Sequence, residues 1–137
     1  MSAPARRALR VSVLVVAACV AIGGCRRGKR EPPKLDITWT LSPSTPAIGA
    51  ATLAVTVRDT AGRPVSGARV HLEGQMSHAG MAPVLADAPE TPGTPGLYTL
   101  NFVLTMEGDW VLILTVTLPD GRHVDRRVDV RGVRAST

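Results

Sequence analysis

Apart from the initiator, this 137-residue chain has three methionines, and two of them bracket a histidine in Met76-Ser77-His78-Ala79-Gly80-Met81. Two thioethers and an imidazole are soft or borderline donors, and without competing thiolates that set suits Cu(I), with Ag(I) as its mimic. The segment breaks the alternation around it and reads as a loop rather than a strand. Ser77 and Ala79 are small, and Gly74 and Gly80 allow the backbone to curl and bring the long side chains together. The third methionine, Met106, lies in a second loop, Thr105 to Asp109. The structural alternative is that the methionines fill gaps beneath a loop and that His78 bonds to backbone. His71 and His123 fall on outward strand positions and read as solvated residues.

The elements that position these loops are strands. Leu35, Ile37, Trp39 and Leu41 alternate with Asp36, Thr38 and Thr40, which is the signature of a half-buried strand. Leu53, Val55 and Val57 begin the pattern again, Val70 and Leu72 give a third strand, and Ala82 to Asp87 a weak fourth. Tyr98 to Leu104 is the fifth. Trp110, Leu112, Leu114, Val116 and Leu118 form a sixth, and Val111 and Ile113 make its other face apolar too, as a central strand requires. Val124, Val128 and Val130 point inward from a seventh. Turn signals separate them, including Asp59 to Pro64, Pro92 to Gly96, and Asp120-Gly121 as a two-residue hairpin. No segment sustains a helical period. Seven short strands at this length predict an all-β, immunoglobulin-like Greek-key sandwich. In that topology the loop after the third strand and the loop after the fifth lie at one end. Met106 then joins Met76, His78 and Met81 as a fourth candidate ligand.

The N-terminus predicts export. Arg6, Arg7 and Arg10 precede an uncharged run of 14 residues, Val11 to Gly24, which ends at Cys25. A helical membrane span takes roughly 20 residues, so the run reads as a signal sequence rather than a permanent span. Ile22-Gly23-Gly24-Cys25 resembles a lipobox, in which the cysteine is acylated and becomes the new N-terminus. The expected organisation is a lipoprotein signal peptide over 1–24, a basic and Pro-rich tether over 25–34, the sandwich over 35–133 and a tail over 134–137. Lipid on Cys25 would hold the domain to a membrane, facing the periplasm or the exterior. The alternative is an ordinary signal peptide that happens to end near a cysteine.

Composition excludes several functions. Three of the sixteen basic residues precede Cys25 and no acidic residue does, which leaves 13 against 11 and a net charge of +2. Four of the thirteen, Arg26, Arg27, Lys29 and Arg30, sit beside the anchor, where they would face lipid head groups. The folded part is then nearly neutral and has only two Trp, one Tyr and one Phe, so nucleic acid is rejected as a partner. Cys19 leaves with the signal and Cys25 is consumed by lipid. No thiol remains for a disulfide or a nucleophile, and about 100 residues must rely on their core. No serine has a nucleophile-elbow context, no carboxylates pair at a useful spacing, and no Asp-rich calcium loop is present, so the chain is not read as an enzyme.

Val57-Arg58-Asp59 followed by Gly62-Arg63-Pro64-Val65-Ser66-Gly67-Ala68, then the Met76 to Pro83 loop, Gly96-Leu97-Tyr98 and Gly108-Asp109-Trp110, resemble the YtkA-like domain family and its FixH-like relatives. The resemblance runs from about Leu35 to Val133. It implies an extracytoplasmic sandwich, linked in some relatives to copper supply or to the assembly of haem-copper oxidases, with an envelope copper protein or an oxidase as partner. FixH-like proteins usually keep a transmembrane helix, whereas this chain is expected to use a lipid. The rival expectation is a metal-free module that docks another envelope protein.

Overall fold

The computed structural model describes residues 31–77 and 80–135. They form seven strands: β1 (Leu35–Ser42), β2 (Gly49–Asp59), β3 (Arg69–Met76), β4 (Val84–Ala88), β5 (Leu97–Leu104), β6 (Gly108–Thr117) and β7 (His123–Val133). One sheet has the order β1-β2-β5 and the other β4-β3-β6-β7, with every neighbouring pair antiparallel. The chain thus crosses between sheets after β2, β4 and β5, giving the expected all-β Greek-key sandwich of immunoglobulin-like type.

Period-two patterning places the core between the sheets. Leu53, Val55 and Val57 of β2 meet Leu112, Leu114 and Val116 of β6, all fully buried. Their alternate neighbours Thr52, Thr56, Thr115 and Thr117 face out, where β-branched hydroxyl side chains keep strand propensity without burying polar groups. Val111 and Ile113 on the outer face of β6 are half-buried because β6 lies between β3 and β7.

Trp39 keeps the inward parity of β1 yet is 43% exposed. The strand is an edge, paired only with β2, and the facing edge is β7. There the inward-parity position opposite Leu114 is Arg126, whose Nη2 donates to the Leu35 carbonyl at 3.4 Å. Three further expectations shift locally. The fourth strand begins at Val84, not Ala82. Gly74 does not open a loop: it is paired within β3, where a Cβ would lie 3.2 Å from Leu112 Cδ2. Between β6 and β7 the Leu118 N–H donates to the Arg122 carbonyl at 2.8 Å and encloses three residues, 119–121, rather than two, with Pro119 at the second position of a turn closed by the Gly121 N–H to the Leu118 carbonyl at 2.9 Å. Gly121 then takes φ +83°, which returns the chain to the ladder.

The two ends of the sandwich differ. At the proximal end, where the chain comes in, Pro33 is buried in a cleft it shares with Asp59, Thr60 and Val124. Polar ties hold this end together. The buried Tyr98 hydroxyl donates to the Val65 carbonyl at 2.8 Å and accepts from the Ala68 N–H at 3.0 Å. Burial pushes this phenol above its ordinary value. Glu90 accepts from the backbone N–H groups of Gly96 at 2.8 Å and Gly67 at 3.0 Å. Those two bonds, with a further one from the Ser66 side chain, hold its carboxyl below the ordinary 4.5.

A group lowered in the folded state stabilises the fold above its unfolded value, and that contribution disappears as pH falls through the folded value. Thermal melts of the wild-type domain should therefore lose stability on acidification below about 4.5, the ordinary value of Glu90. Glu90→Gln should start lower at neutral pH and show a shallower acid slope. Parallel slopes would assign the acid sensitivity to other carboxylates.

Candidate functional site

The distal end carries the methionines. Met76 is the last residue of β3 rather than part of a loop, and it pairs with Trp110 of β6. Its inward parity leaves it half-buried against the core, with its Cε 3.7 Å from where a Cβ on Gly108 would sit. The Ser77 N–H donates to the Asp109 carbonyl at 3.3 Å, which ties the start of the β3–β4 loop to the start of β6. Met106 lies in the β5–β6 connection, and its carbonyl accepts the Trp110 indole N–H at 3.1 Å. The two connections thus meet at one end, as the topology predicted.

Burial separates the three thioethers. Met81 is 46% and Met106 43% exposed, so neither fills a gap in the core. Met76 has one side on the core and the other toward the loops. Among the described residues, no three His, Cys, Asp or Glu side chains are grouped so as to hold a metal. The carboxylates nearest Met106 are engaged with backbone, Glu107 accepting from the Ala135 N–H and Asp109 from the Gly132 N–H, each at 2.8 Å. His78 and Cys25, expected as a ligand and as the lipidated residue, lie outside the described residues.

The other two histidines are on strands, away from these loops. His71 has its Nδ1 2.7 Å from Asp87 Oδ1 on the outer face of the four-stranded sheet, and His123 is exposed at the start of β7. Sequence reasoning did not anticipate the His71–Asp87 contact. The signal was the register that brings β3 beside β4, which strand patterning alone does not give.

Large hydrophobic side chains left exposed among the described residues are Trp39, Met81, Leu85, Val103 and Met106. All but Trp39 belong to the distal half. Leu85, the second residue of β4, is on the outer face of the four-stranded sheet and Val103, the penultimate residue of β5, on the outer face of the three-stranded sheet, so they lie on opposite faces of the distal half.

The strand order and this end together define a small immunoglobulin-like domain with a methionine-bearing loop end. The profile of the YtkA-like family matches residues 33–115, from the buried Pro33 through most of β6, and the chain belongs to that family. No curated protein matches the chain. Among solved structures, murine CRIg is similar at 17% identity and a TM-score of 0.43, over 74% of this chain and 99% of that one. MtrC from Shewanella baltica OS185 is similar at 16% identity and a TM-score of 0.41, over 72% of this chain and 22% of that one.

Proposed function

We propose that this YtkA-like domain is the exported, lipid-anchored part of a copper-handling system and binds Cu(I) at its distal end through Met76, Met81 and Met106. His78 is the fourth donor supplied by the sequence. The observation that carries this reading is the exposure of two methionines on different connections at one end. Fully burying a methionine side chain is worth roughly 1.5–3 kcal/mol, and folding leaves a little under half of that unrealised at Met81 and Met106. Cu(I) held there would be cargo, bound and released without redox or hydrolytic chemistry by this chain.

A second reading is favoured by Leu85 and Val103. Each leaves an exposed apolar side chain on one outer face of the distal half, and such a face also suits a metal-free module that docks another envelope protein.

Titration of the reduced domain with Cu(I) against a competing chelator separates the two. Each of Met76→Leu, Met81→Leu and Met106→Leu should weaken Cu(I) binding about tenfold or more, the equivalent of ~1.4 kcal/mol. Leucine nearly preserves volume, so the metal-free melting temperature should barely move, least at the exposed Met81 and Met106. Affinity should also fall modestly as pH drops through about 6.5, where an imidazole protonates, and then level off because thioethers do not titrate. Weak binding that is the same in all four proteins would leave the docking surface as the function.

A further inference from the structure

Each sheet ends in two edge strands, β1 and β5 in one and β4 and β7 in the other. An edge offers unpaired backbone N–H and C=O groups to any other strand, and folded proteins usually blunt it with charge, proline, a bulge or a covering segment. Three of these edges are blunted. β4 is five residues long, lies directly between Pro83 and Pro89, and carries Asp87. The first half of β5 is covered by the β4–β5 connection, where the Leu97 N–H donates to the Thr94 carbonyl and the Thr99 N–H to the Pro89 carbonyl, each at 3.2 Å. Only the short stretch from Asn101 to Leu104 is left. β7 carries Asp125, Arg126, Arg127, Asp129 and Arg131, and its ladder slips in register between Gly108 and Trp110.

β1 has none of these protections. Its pairing with β2 runs unbroken from Leu35 to Ser42, and Ile37 to Ser42 contains neither a charge nor a proline. Backbone groups alternate sides along an antiparallel ladder. The Leu35 carbonyl faces away from β2, toward Arg126, so the N–H and C=O groups of Ile37, Trp39 and Leu41 face that same open side. Among the described residues, no backbone hydrogen bond is made on that side between Leu35 and Pro46. A cleft of about 390 Å³ lies there instead, with the exposed Trp39 and the half-buried Leu41 on one wall and Asp129, Val130 and Arg131 on the other.

The sequence of this edge is complementary to itself. A second copy brought up antiparallel, with a two-fold axis at Trp39, sets Trp39 opposite its counterpart, Ile37 opposite Leu41 and Thr38 opposite Thr40. Apolar then meets apolar on the inner face and hydroxyl meets hydroxyl on the outer one, both favourable cross-strand pairs. Asp36 falls opposite Ser42, so no like charges oppose each other along the strand. The same axis passes beside Val130 and brings Asp129 of one copy to Arg131 of the other. The Arg131 side chain makes no ion pair or hydrogen bond with the described residues, and Asp129, which accepts from Arg127 through Oδ1 at 2.9 Å, has a second oxygen to offer.

We propose that the domain dimerises through the open edge of β1, joining two three-stranded sheets into one continuous sheet and burying Trp39 against its counterpart. So short an edge stays under the roughly 1,200 Å² of a standard interface, so the dimer is weak and reversible. It does not depend on the copper reading, because none of the methionines is on β1 or β7.

All seven strands and the buried core lie within residues 31–135, so the segment 31–137, which has no cysteine, is the unit tested. Sedimentation equilibrium from about 5 µM to about 1 mM should show the mass rising from one chain toward two. Acrylamide quenching of Trp39 should fall over the same range, since Trp110 is buried throughout. Trp39→Lys should stay monomeric, whereas Leu85→Lys and Val103→Lys, at two other exposed sites, should dimerise as wild type does. Thr38 and Thr40 form a non-hydrogen-bonded pair across the axis, close enough for a disulfide. Chains with Thr38→Cys mixed with chains with Thr40→Cys should therefore form the mixed disulfide several-fold faster than either forms its own. This readout keeps Trp39 and holds even where Trp39→Lys fails to fold. A monomer at about 1 mM, dimerisation that a folded Trp39→Lys leaves intact, its loss in Leu85→Lys or Val103→Lys, or equal rates for the three disulfides overturns the proposal.

Discussion

Trp110→Ala should destabilise the domain by about 3–5 kcal/mol, the usual cost of emptying a large aromatic site in a core. Trp110 is 2% exposed and starts the inward row of β6, where the ladder with β7 slips in register between Gly108 and Trp110. An irregular ladder supplies fewer regular hydrogen bonds, so side-chain packing carries more of the local order there. The indole has a second task, because its N–H holds the Met106 carbonyl. Trp110→Phe keeps a buried ring but removes that bond and part of the buried ring volume, for an intermediate loss of about 1–3 kcal/mol. Chemical denaturation of the three proteins gives both numbers. A change under about 1 kcal/mol for Trp110→Ala would mean that the distal end does not depend on this side chain.

Gly96→Ala should cost roughly 2–5 kcal/mol, from two sources that a neighbouring glycine separates. Gly96 has φ +78°, a backbone region that disfavours a Cβ by about 1–2 kcal/mol. A Cβ there would also lie 2.8 Å from both the Val57 carbonyl oxygen and Pro64 Cβ, and overpacking of this kind typically adds about 1–3 kcal/mol. Relaxation is blocked. The Gly96 carbonyl accepts from Val57 N–H at 2.8 Å, its own N–H donates to Glu90, and the Val57 carbonyl accepts from Val65 N–H at 3.0 Å. Gly93 has φ +77° with nothing within 4 Å of the added carbon, so Gly93→Ala should show the backbone part alone. Denaturation midpoints for the two variants should differ clearly. Matching losses would show that the β4–β5 connection moves aside after all.

Much of this architecture was legible in the chain because β-strand alternation reports burial directly. Leu53, Val55 and Val57, and the Trp110 to Val116 row, are buried where the pattern put them. The YtkA-like resemblance read from Asp59 to Ala68, Gly96 to Tyr98 and Gly108 to Trp110 also holds. What patterning could not report was which strands are edges. Trp39 has the inward parity of a core residue yet is exposed on edge strand β1, in a cleft it shares with Asp129, Val130 and Arg131 of the facing edge strand. The polar ties of Tyr98 and Glu90 were equally hidden, since each joins residues that only the crossover between sheets brings together. At the distal end, the sequence marked the methionines but not their unequal burial. Met76 reads as loop in the sequence because Gly74 and Gly80 allow the backbone to curl, yet Gly74 pairs with Leu112 inside the ladder and β3 runs on to Met76.

The two inner pairings, β2 with β5 and β3 with β6, both join segments far apart in the chain. Loop closure must come before such contacts contribute, which places folds of this kind among the slower two-state folders. Neither sheet can acquire its centre until β5 and β6 are available, so the first half of a nascent chain has only the β1–β2 and β3–β4 hairpins to form, and isolated hairpins are marginal in water. The domain therefore has little to close upon for as long as its C-terminal third is missing, and the arrival of β6, which pairs with β3 on one side and β7 on the other, is what lets the larger sheet form.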